Sequence, residues 1–137
     1  MFDSRVLNFS VKSGEHTKNI DTSLKIWKFL KESGFKRSDL IINLGGGMIT
    51  DLGGFVASTF MRGIKFINVP TSLLAMVDAS IGGKTGIDFK EVKNLIGVFE
   101  FAKISLIDLR FLKTLSKRQI TSGYAEMIKH SLICLLY

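Results

Sequence analysis

The chain has 137 residues, of which 46% are apolar and 23% are charged, a composition that is typical of a globular domain and excludes a disordered chain. No apolar stretch reaches the roughly 18 residues of a membrane-spanning helix, and the first residues lack a secretory signal, so we expect a cytoplasmic protein without membrane contact. The net charge of +7 is scattered between apolar blocks without a basic run, which favours small anionic ligands over nucleic acid.

The first half of the chain alternates predicted strands and helices. Residues Val6 to Val11 have the pattern of a short strand, and apolar residues then recur at helical spacing from Ile20 until Gly34. Residues Asp39 to Leu44 predict a buried strand that runs directly into Gly45, Gly46 and Gly47. The stretch from Met48 to Phe60 then has helical character, which completes a second strand–helix unit.

The third unit begins with a strand from Lys65 to Val69, which Pro70 ends. Either Thr71 or Ser72 can cap a helix over Leu73 to Asp78, because a hydroxyl before the first turn accepts a backbone hydrogen bond. A glycine-rich loop follows this helix.

The last part of the chain predicts one more strand and a long helix. Residues Lys103 to Ile107 form the fourth strand, and an amphipathic helix begins at Ser116 and is interrupted only by Gly123. The single cysteine, Cys134, lies in the apolar part of this helix, so we expect it to be buried and assign it no catalytic role.

Repeated strand–helix units predict an α/β fold with a parallel sheet flanked by helices, which binds ligands beyond the carboxyl ends of its strands. The final helix departs from this alternation and ends on apolar residues. We therefore expect residues 1–115 to form one α/β domain and residues 116–137 to begin a helical domain that is truncated.

The glycine-rich segment LGGGMITDLGGF is the first candidate binding site. Three glycines directly between a strand and a helix let backbone amides approach a pyrophosphate near the positive end of the helix. The pattern differs from G-x-G-x-x-G, and a tight turn that only packs the helix on the strand explains it equally well. Asp51 can bind a cofactor or simply favour the start of the helix.

A second candidate region, from Met61 to Asn94, combines charged residues with several glycines. Cations and amides on such loops suit a phosphate or carboxylate ligand, although each lysine taken singly is explained by a solvated surface. In the last helix, Glu126 shares a face with Lys129 and His130. This arrangement indicates a helical ion pair, or two of the three ligands that a catalytic zinc ion takes from protein.

Four blocks taken in order, GGGMITDLGGF, MRGIKFINVPTSLLAMVDASIGGKTGID, KNLIG and YAEMIKH, resemble consecutive signature blocks of the 3-dehydroquinate synthase family. The resemblance runs from about Gly14 to the end of the chain. It implies a Rossmann-like NAD-binding domain in a lyase of the shikimate pathway, which supplies aromatic amino acid biosynthesis. Such an enzyme converts 3-deoxy-D-arabino-heptulosonate 7-phosphate to 3-dehydroquinate and phosphate, recycles NAD and uses zinc or cobalt.

The resemblance also implies roles for individual residues. The positions that match NAD-binding ones are Glu15, Lys18, Gly46, Gly47, Asp51, Thr71, Ser72, Lys93 and Thr114. The positions that match substrate-binding ones are Asp78, Lys84, Asn94 and Lys129. Arg62 matches an arginine that binds phosphate in the neighbouring subunit, which implies a homodimer, and Glu126 matches a zinc ligand, whereas His130 falls outside the ligand positions of the family.

Three substitutions depart mildly from the family pattern: Thr50 and Val92 stand where glycine is common, and Ser72 stands where threonine is usual. The two zinc histidines of the family and an early NAD-contacting strand are expected outside this chain, so we expect the chain alone to be inactive. Zinc binding together with phosphate release would contradict that expectation.

Three other functions remain open at this stage. A related sugar-phosphate cyclase of the valiolone or deoxy-inosose type would share NAD, the metal and the early steps. A metal-dependent alcohol dehydrogenase of the same superfamily would use the glycine loop but accumulate NADH. A noncatalytic fragment would only bind nucleotide.

Overall fold

The computed structural model describes residues 5–134. It has an α/β fold in which helix α1 (Ile20–Glu32) precedes strand β1 (Leu40–Gly45), helix α2 (Gly47–Thr59) and strand β2 (Lys65–Pro70). A hairpin of β3 (Lys84–Phe89) and β4 (Val92–Phe99) follows, and helix α3 (Lys117–Cys134) comes last. Among residues 5–134, no helix is both long and apolar enough to cross a bilayer.

Strands β1 and β2 pair in parallel, with Leu40 opposite Lys65 and Gly45 opposite Pro70, so both strands end at the same edge. Helix α2 packs on both strands and on β3. The core lies along this helix, where Leu52, Phe55 and Val56 join Leu30 of α1 and Ile87 of β3. The predicted α/β fold with a parallel sheet flanked by helices is confirmed.

The helix α2 fits closely on the sheet because Gly53 has no side chain. A Cβ atom at that position would lie 1.9 Å from Asn43 Oδ1. Asn43 is buried and donates a hydrogen bond of 3.0 Å to Asn68, and Asn68 donates one of 3.2 Å to the Ser80 carbonyl. These amides therefore satisfy each other inside the core and fix the register of β1 against β2.

Two predicted strands differ from the observed structure. Residues 6–11 form no strand, because no neighbouring strand pairs with them among the described residues, and Phe9 instead packs on Phe29 of α1 at 5.2 Å between ring centroids. The segment Lys103 to Ile107 runs parallel beside β2 but makes only a single bridge, between Asn68 and Ser105.

The third predicted helix is short and has an unusual form. It begins at Leu73, and Ala75–Ala79 form a π-helix in which the Ser80 amide donates to the Ala75 carbonyl at 3.0 Å. Ser72 provides the predicted cap, since its Oγ accepts a hydrogen bond of 3.4 Å from the Ala75 amide. The π-turn ends on Asp78 and Ala79, next to the start of α2.

The region predicted as a glycine-rich loop is mostly a hairpin. Gly82 and Gly83 lead into β3, which pairs antiparallel with β4 from Lys84 opposite Phe99 to Phe89 opposite Val92. Cys134, which was expected to be buried, is exposed at the end of α3, so that expectation is wrong.

Candidate functional site

A cleft of about 1030 Å³ opens where β1 and β2 end and α2 begins. Its walls include six of the predicted cofactor-binding residues: Glu15, Gly46, Gly47, Thr71, Ser72 and Thr114. The parallel register explains the meeting of the two strand ends, because Gly45 lies opposite Pro70 and the Thr71 amide donates to the Gly45 carbonyl at 2.8 Å. Six predicted residues that are scattered along the chain therefore line one cleft, and their cofactor roles stay predictions.

The glycines keep the floor of the cleft open. A Cβ atom at Gly46 would lie 3.3 Å from Ser72 Oγ, and one at Gly47 would lie 3.2 Å from the Cβ of Ala79. Helix α2 has no side-chain cap at Gly46 and no acidic residue in its first turn. Its first amides therefore stay available for an anion, and the positive end of the helix dipole favours one.

Residues of α3 that the sequence analysis did not single out complete the cleft. The lining of the cleft includes Arg118, Gln119 and Ser122. Arg118 brings a cation to a site that also holds glycine backbone, hydroxyl groups and apolar side chains, and a cation suits a phosphate. The sequence did show a basic residue in the first turn of the last helix, which could have suggested an anion site. Only the fold shows that this turn reaches the same cleft as the glycines.

The size and chemistry of the cleft fit a dinucleotide. Its volume exceeds what a simple phosphate needs, and it combines helix amides with hydroxyl donors and the Glu15 carboxylate at the rim. Carboxylates of this kind bind ribose hydroxyl groups in dinucleotide sites.

Lys18 does not line this cleft. Its side chain is only 3% exposed, and its Nζ lies 2.7 Å from Glu15, 3.3 Å from Asp51 and 3.7 Å from Asp88. It also donates a hydrogen bond of 2.7 Å to Asn94 Oδ1. Three carboxylates and one amide thus surround a single buried ammonium group, which we call the Lys18 cluster.

The Lys18 cluster changes the titration of its members. Burial alone would lower the pKa of Lys18, but the hydrogen bond to Glu15 and the charge of Asp51 outweigh it and raise the pKa. Burial raises the pKa of Asp51 from 3.8 to about 6, although the nearby Lys18 charge opposes this shift. Asp51, which lies one turn into α2, therefore ionises at a higher pH than an ordinary aspartate.

The Lys18 cluster also fixes the hairpin. The Asn94 amide donates to Asp88 Oδ1 at 2.8 Å, and Asn94 has a left-handed backbone with φ of 52°. Asparagine tolerates this conformation better than most residues. The cluster thereby ties the start of α2 to β4, and Lys18, a predicted cofactor residue, contacts Asn94, a predicted substrate residue.

A second group of predicted residues meets between the π-turn and α3. Lys129 Nζ lies 3.4 Å from Asp78 Oδ1 and also contacts Glu126, and His130 Nε2 lies 2.9 Å from the same Asp78 oxygen. Hydrogen bonding to Glu126, together with Asp78, raises the pKa of Lys129 although desolvation opposes this shift. We call these four residues the Asp78 cluster.

The cleft and the Asp78 cluster are neighbours. Gly47 packs against Ala79, which directly follows Asp78, and α3 contributes both Arg118 to the cleft and Glu126 to the cluster. A ligand held by the glycine loop therefore lies beside the carboxylates.

Three predicted site residues lie apart from these groups. Lys84 and Lys93 are exposed on the hairpin, at the start of β3 and in β4. Arg62 is exposed in a short turn after α2, with a left-handed φ of 67°, at the end of the helix opposite Gly47. A helix of this length spans about 20 Å, so Arg62 cannot reach the cleft of its own chain. The roles of these three residues remain predictions.

Comparison with known proteins identifies the family. The family model for the 3-dehydroquinate synthase N-terminal region matches residues 8–122. A 3-dehydroquinate synthase of Sulfurisphaera tokodaii is 50% identical over 127 residues, which cover 93% of this chain and 36% of that protein. The chain spans about a third of the length of several such curated relatives.

Two solved structures share the fold. The 2-epi-5-epi-valiolone synthase from Streptomyces hygroscopicus subsp. jinggangensis, with NAD+ and Zn2+ bound, aligns with a TM-score of 0.84 and 35% identity over 87% of this chain and 33% of that one. A 2-deoxy-scyllo-inosose synthase complexed with carbaglucose-6-phosphate, NAD+ and Co2+ aligns with a TM-score of 0.82 and 30% identity, covering 86% and 32% of the two chains. On the family model and the curated relative together, the chain belongs to the 3-dehydroquinate synthase family.

Proposed function

We propose that this chain provides the NAD-binding part of a 3-dehydroquinate synthase and part of its substrate site. The reaction converts 3-deoxy-D-arabino-heptulosonate 7-phosphate to 3-dehydroquinate and phosphate. The observation that carries the proposal is the cleft of about 1030 Å³ at the uncapped start of α2, directly beside the Asp78 cluster. Family membership and the NAD+ bound in two structural relatives support it.

In this proposal the chain's residues hold the nucleotide and orient the sugar next to it. The amides of Gly46 and Gly47 face the pyrophosphate, Thr71 and Ser72 donate hydroxyl hydrogen bonds, and Glu15 accepts from a ribose. NAD+ held by the glycine loop would supply reversible oxidation of a ring carbinol, with hydride leaving its carbon and a proton leaving its oxygen, and a divalent metal held by Glu126 would supply polarisation of that oxygen. The ketone formed in this way would make the adjacent C–H acidic, which would permit elimination of phosphate.

Substrate recognition depends on charge in the proposed site. An acidic sugar phosphate would be bound by Lys129 of the Asp78 cluster, by the exposed Lys84 and by Asn94. Ammonium groups and an amide can donate hydrogen bonds to its carboxylate and phosphate oxygens. Asp78 can accept a hydrogen bond from a ring hydroxyl. Lys93 would contact the nucleotide, and the exposed Arg62 would bind phosphate in a second subunit of a homodimer.

Calorimetric titration of the chain with NAD+ tests the proposal. We expect one saturable site per chain, and a subsequent titration with 3-deoxy-D-arabino-heptulosonate 7-phosphate should show binding that weakens about tenfold in Lys84→Met. Lys65→Met, which removes another exposed lysine, on β2, is the matched control. A chain without saturable NAD+ binding would refute the nucleotide site.

The two structural relatives favour one alternative, another sugar-phosphate cyclase. The identity of about 50% to 3-dehydroquinate synthases, against 30–35% to the other cyclases, favours dehydroquinate as the product. A sugar phosphate without a carboxylate distinguishes the two functions. Glucose 6-phosphate should bind more weakly than the acidic heptulosonate if the chain is part of a 3-dehydroquinate synthase. Tighter binding of glucose 6-phosphate would favour another sugar-phosphate cyclase.

A further inference from the structure

We propose that Asn68 and Ser105 are positioning residues for Asp78, which they hold in place through the backbone carbonyl of Ser80. Asn68 Nδ2 donates a hydrogen bond of 3.2 Å to this carbonyl, and Ser105 Oγ donates a second one of 2.7 Å. Ser80 directly follows the π-turn that contains Asp78. The inference rests on the proposed function for the contact of Asp78 with substrate, whereas the hydrogen bonds that hold Asp78 do not depend on it.

Asn68 is a rigid base for this contact. The residue is only 4% exposed, and its Oδ1 accepts a hydrogen bond of 3.0 Å from Asn43, so its side-chain amide cannot turn without leaving buried groups unpaired. Its backbone is also held, because its amide donates to the Ile104 carbonyl at 2.9 Å and its carbonyl accepts from the Leu106 amide at 2.8 Å. Strand β2 therefore fixes the position of the donor.

The segment beside β2 supplies the second donor. Its single bridge to the strand pairs Asn68 with Ser105, so the two side chains that reach Ser80 come from neighbouring backbone positions. A carbonyl oxygen has two lone pairs, and the two donors use both of them. The bridge thus places two hydrogen-bond donors on one oxygen at the end of the π-turn.

The anchored residue closes the turn that contains Asp78. The Ser80 amide donates to the Ala75 carbonyl at 3.0 Å, so Ser80 is held through both its amide and its carbonyl. Such wide turns are rare and are frequent at functional sites. Because Asp78 lies inside this turn, its carboxylate keeps its place, with Oδ1 at 2.9 Å from His130 Nε2.

The residues before the π-turn are held by different contacts. The Thr71 amide donates to the Gly45 carbonyl at 2.8 Å, and the Met76 amide donates to the Ser72 carbonyl at 3.0 Å. Thr71 and Ser72 line the cleft. Loss of the Ser80 anchor should therefore displace Asp78 while the cleft residues stay in place, so substrate binding and nucleotide binding should respond differently.

Calorimetry of the whole chain tests this difference. With NAD+ at saturation, 3-deoxy-D-arabino-heptulosonate 7-phosphate should bind about tenfold more weakly to Asn68→Ala and about threefold more weakly to Ser105→Ala, with NAD+ affinity unchanged. Ser105→Thr keeps the hydroxyl donor and should restore the affinity. The matched control is Ser58→Ala, which removes a similar hydrogen bond of 2.6 Å to the Gly54 carbonyl near the other end of α2 and should have no effect.

Proton NMR reports the position of Asp78 without any ligand. The chain has two histidines, and His130 contacts Asp78 whereas His16 lies in the turn before α1. Both positioning variants should shift the ring signals of His130 and leave those of His16 in place. A role in stability alone would lower the urea midpoint without moving the His130 signals of the folded variant.

Three results would overturn the inference: unmoved His130 signals in folded Asn68→Ala, equal weakening of NAD+ and heptulosonate binding, or a Ser105→Thr variant that behaves like Ser105→Ala. If Asn68→Ala fails to fold, Ser105→Ala decides, because its side chain is only partly buried. If the unmodified chain binds no heptulosonate, the proposed substrate site is wrong, and the His130 signals still test the positioning of Asp78.

Discussion

Two lysines of this molecule each contact several carboxylates, but they differ in exposure. Lys18 is 3% exposed and contacts Glu15, Asp51 and Asp88, whereas Lys129 is 46% exposed and contacts Asp78 and Glu126. A buried ammonium group cannot leave its partners without exposing unpaired charge, while an exposed one can be displaced by a ligand. The comparison indicates that the Lys18 cluster holds the fold together and the Asp78 cluster is available for binding.

The replacement of each lysine tests this comparison most strongly. Lys18→Met leaves three carboxylates around an apolar side chain, and we expect the free energy of unfolding to fall by about 3–5 kcal/mol, measured by urea denaturation. Lys129→Met should leave the urea midpoint unchanged. The matched surface control is Lys28→Met, which breaks an exposed ion pair with Glu32 and should also have no effect. Equal destabilisation by the Lys18 and Lys129 variants would mean that the two clusters contribute alike to the stability of the fold.

The pH dependence of stability probes the buried cluster further. The pKa of Asp51 is about 6 in the fold and 3.8 as the unperturbed value, so the folded chain binds more protons than the unfolded chain between these values. Stability should therefore fall as the pH rises from about 4 to about 6, by roughly 3 kcal/mol, and then level off. Asp51→Asn should abolish this fall in stability between about pH 4 and about pH 6. An unchanged pH profile in this variant would mean that burial of the Asp51 carboxyl group does not cause the fall.

A bulky residue in the glycine loop tests whether the nucleotide contacts this loop. In Gly47→Val the new side chain meets Ala79 and projects into the floor of the cleft, so NAD+ affinity should fall about 100-fold in calorimetry. Gly82→Ala is the control, because a Cβ atom there meets nothing within 4 Å. If both variants bind NAD+ equally well, the nucleotide does not contact the loop.

The smallest effect is expected at the helix contact that forms the Asp78 cluster. Gly123→Ala places a Cβ atom against Leu73 and pushes α3 away from the π-turn, so the free energy of unfolding should fall by about 1 kcal/mol. Urea denaturation measures this change. An unchanged urea midpoint would mean that α3 does not pack closely on the π-turn.

Sequence patterns predicted the elements whose signals are local. The apolar run from Asp39 to Leu44 and the three glycines after it predicted β1, the start of α2 and the cleft between them, and the observed bounds agree within about two residues. The hairpin of β3 and β4 was missed, because its turn lacks the usual asparagine–glycine pair. Lys90 instead adopts the left-handed conformation there, with φ of 53°.

The sequence by itself determined the glycine loop, the helix that follows it and the face that Glu126 shares with His130, because these features depend on spacing within one turn or one element. Only the tertiary structure decided that Lys18 meets Asn94 across 76 positions, and that Asp78 meets His130 across 52. Such contacts depend on the parallel register of β1 and β2 and on the close packing allowed by Gly123, and no local spacing encodes them.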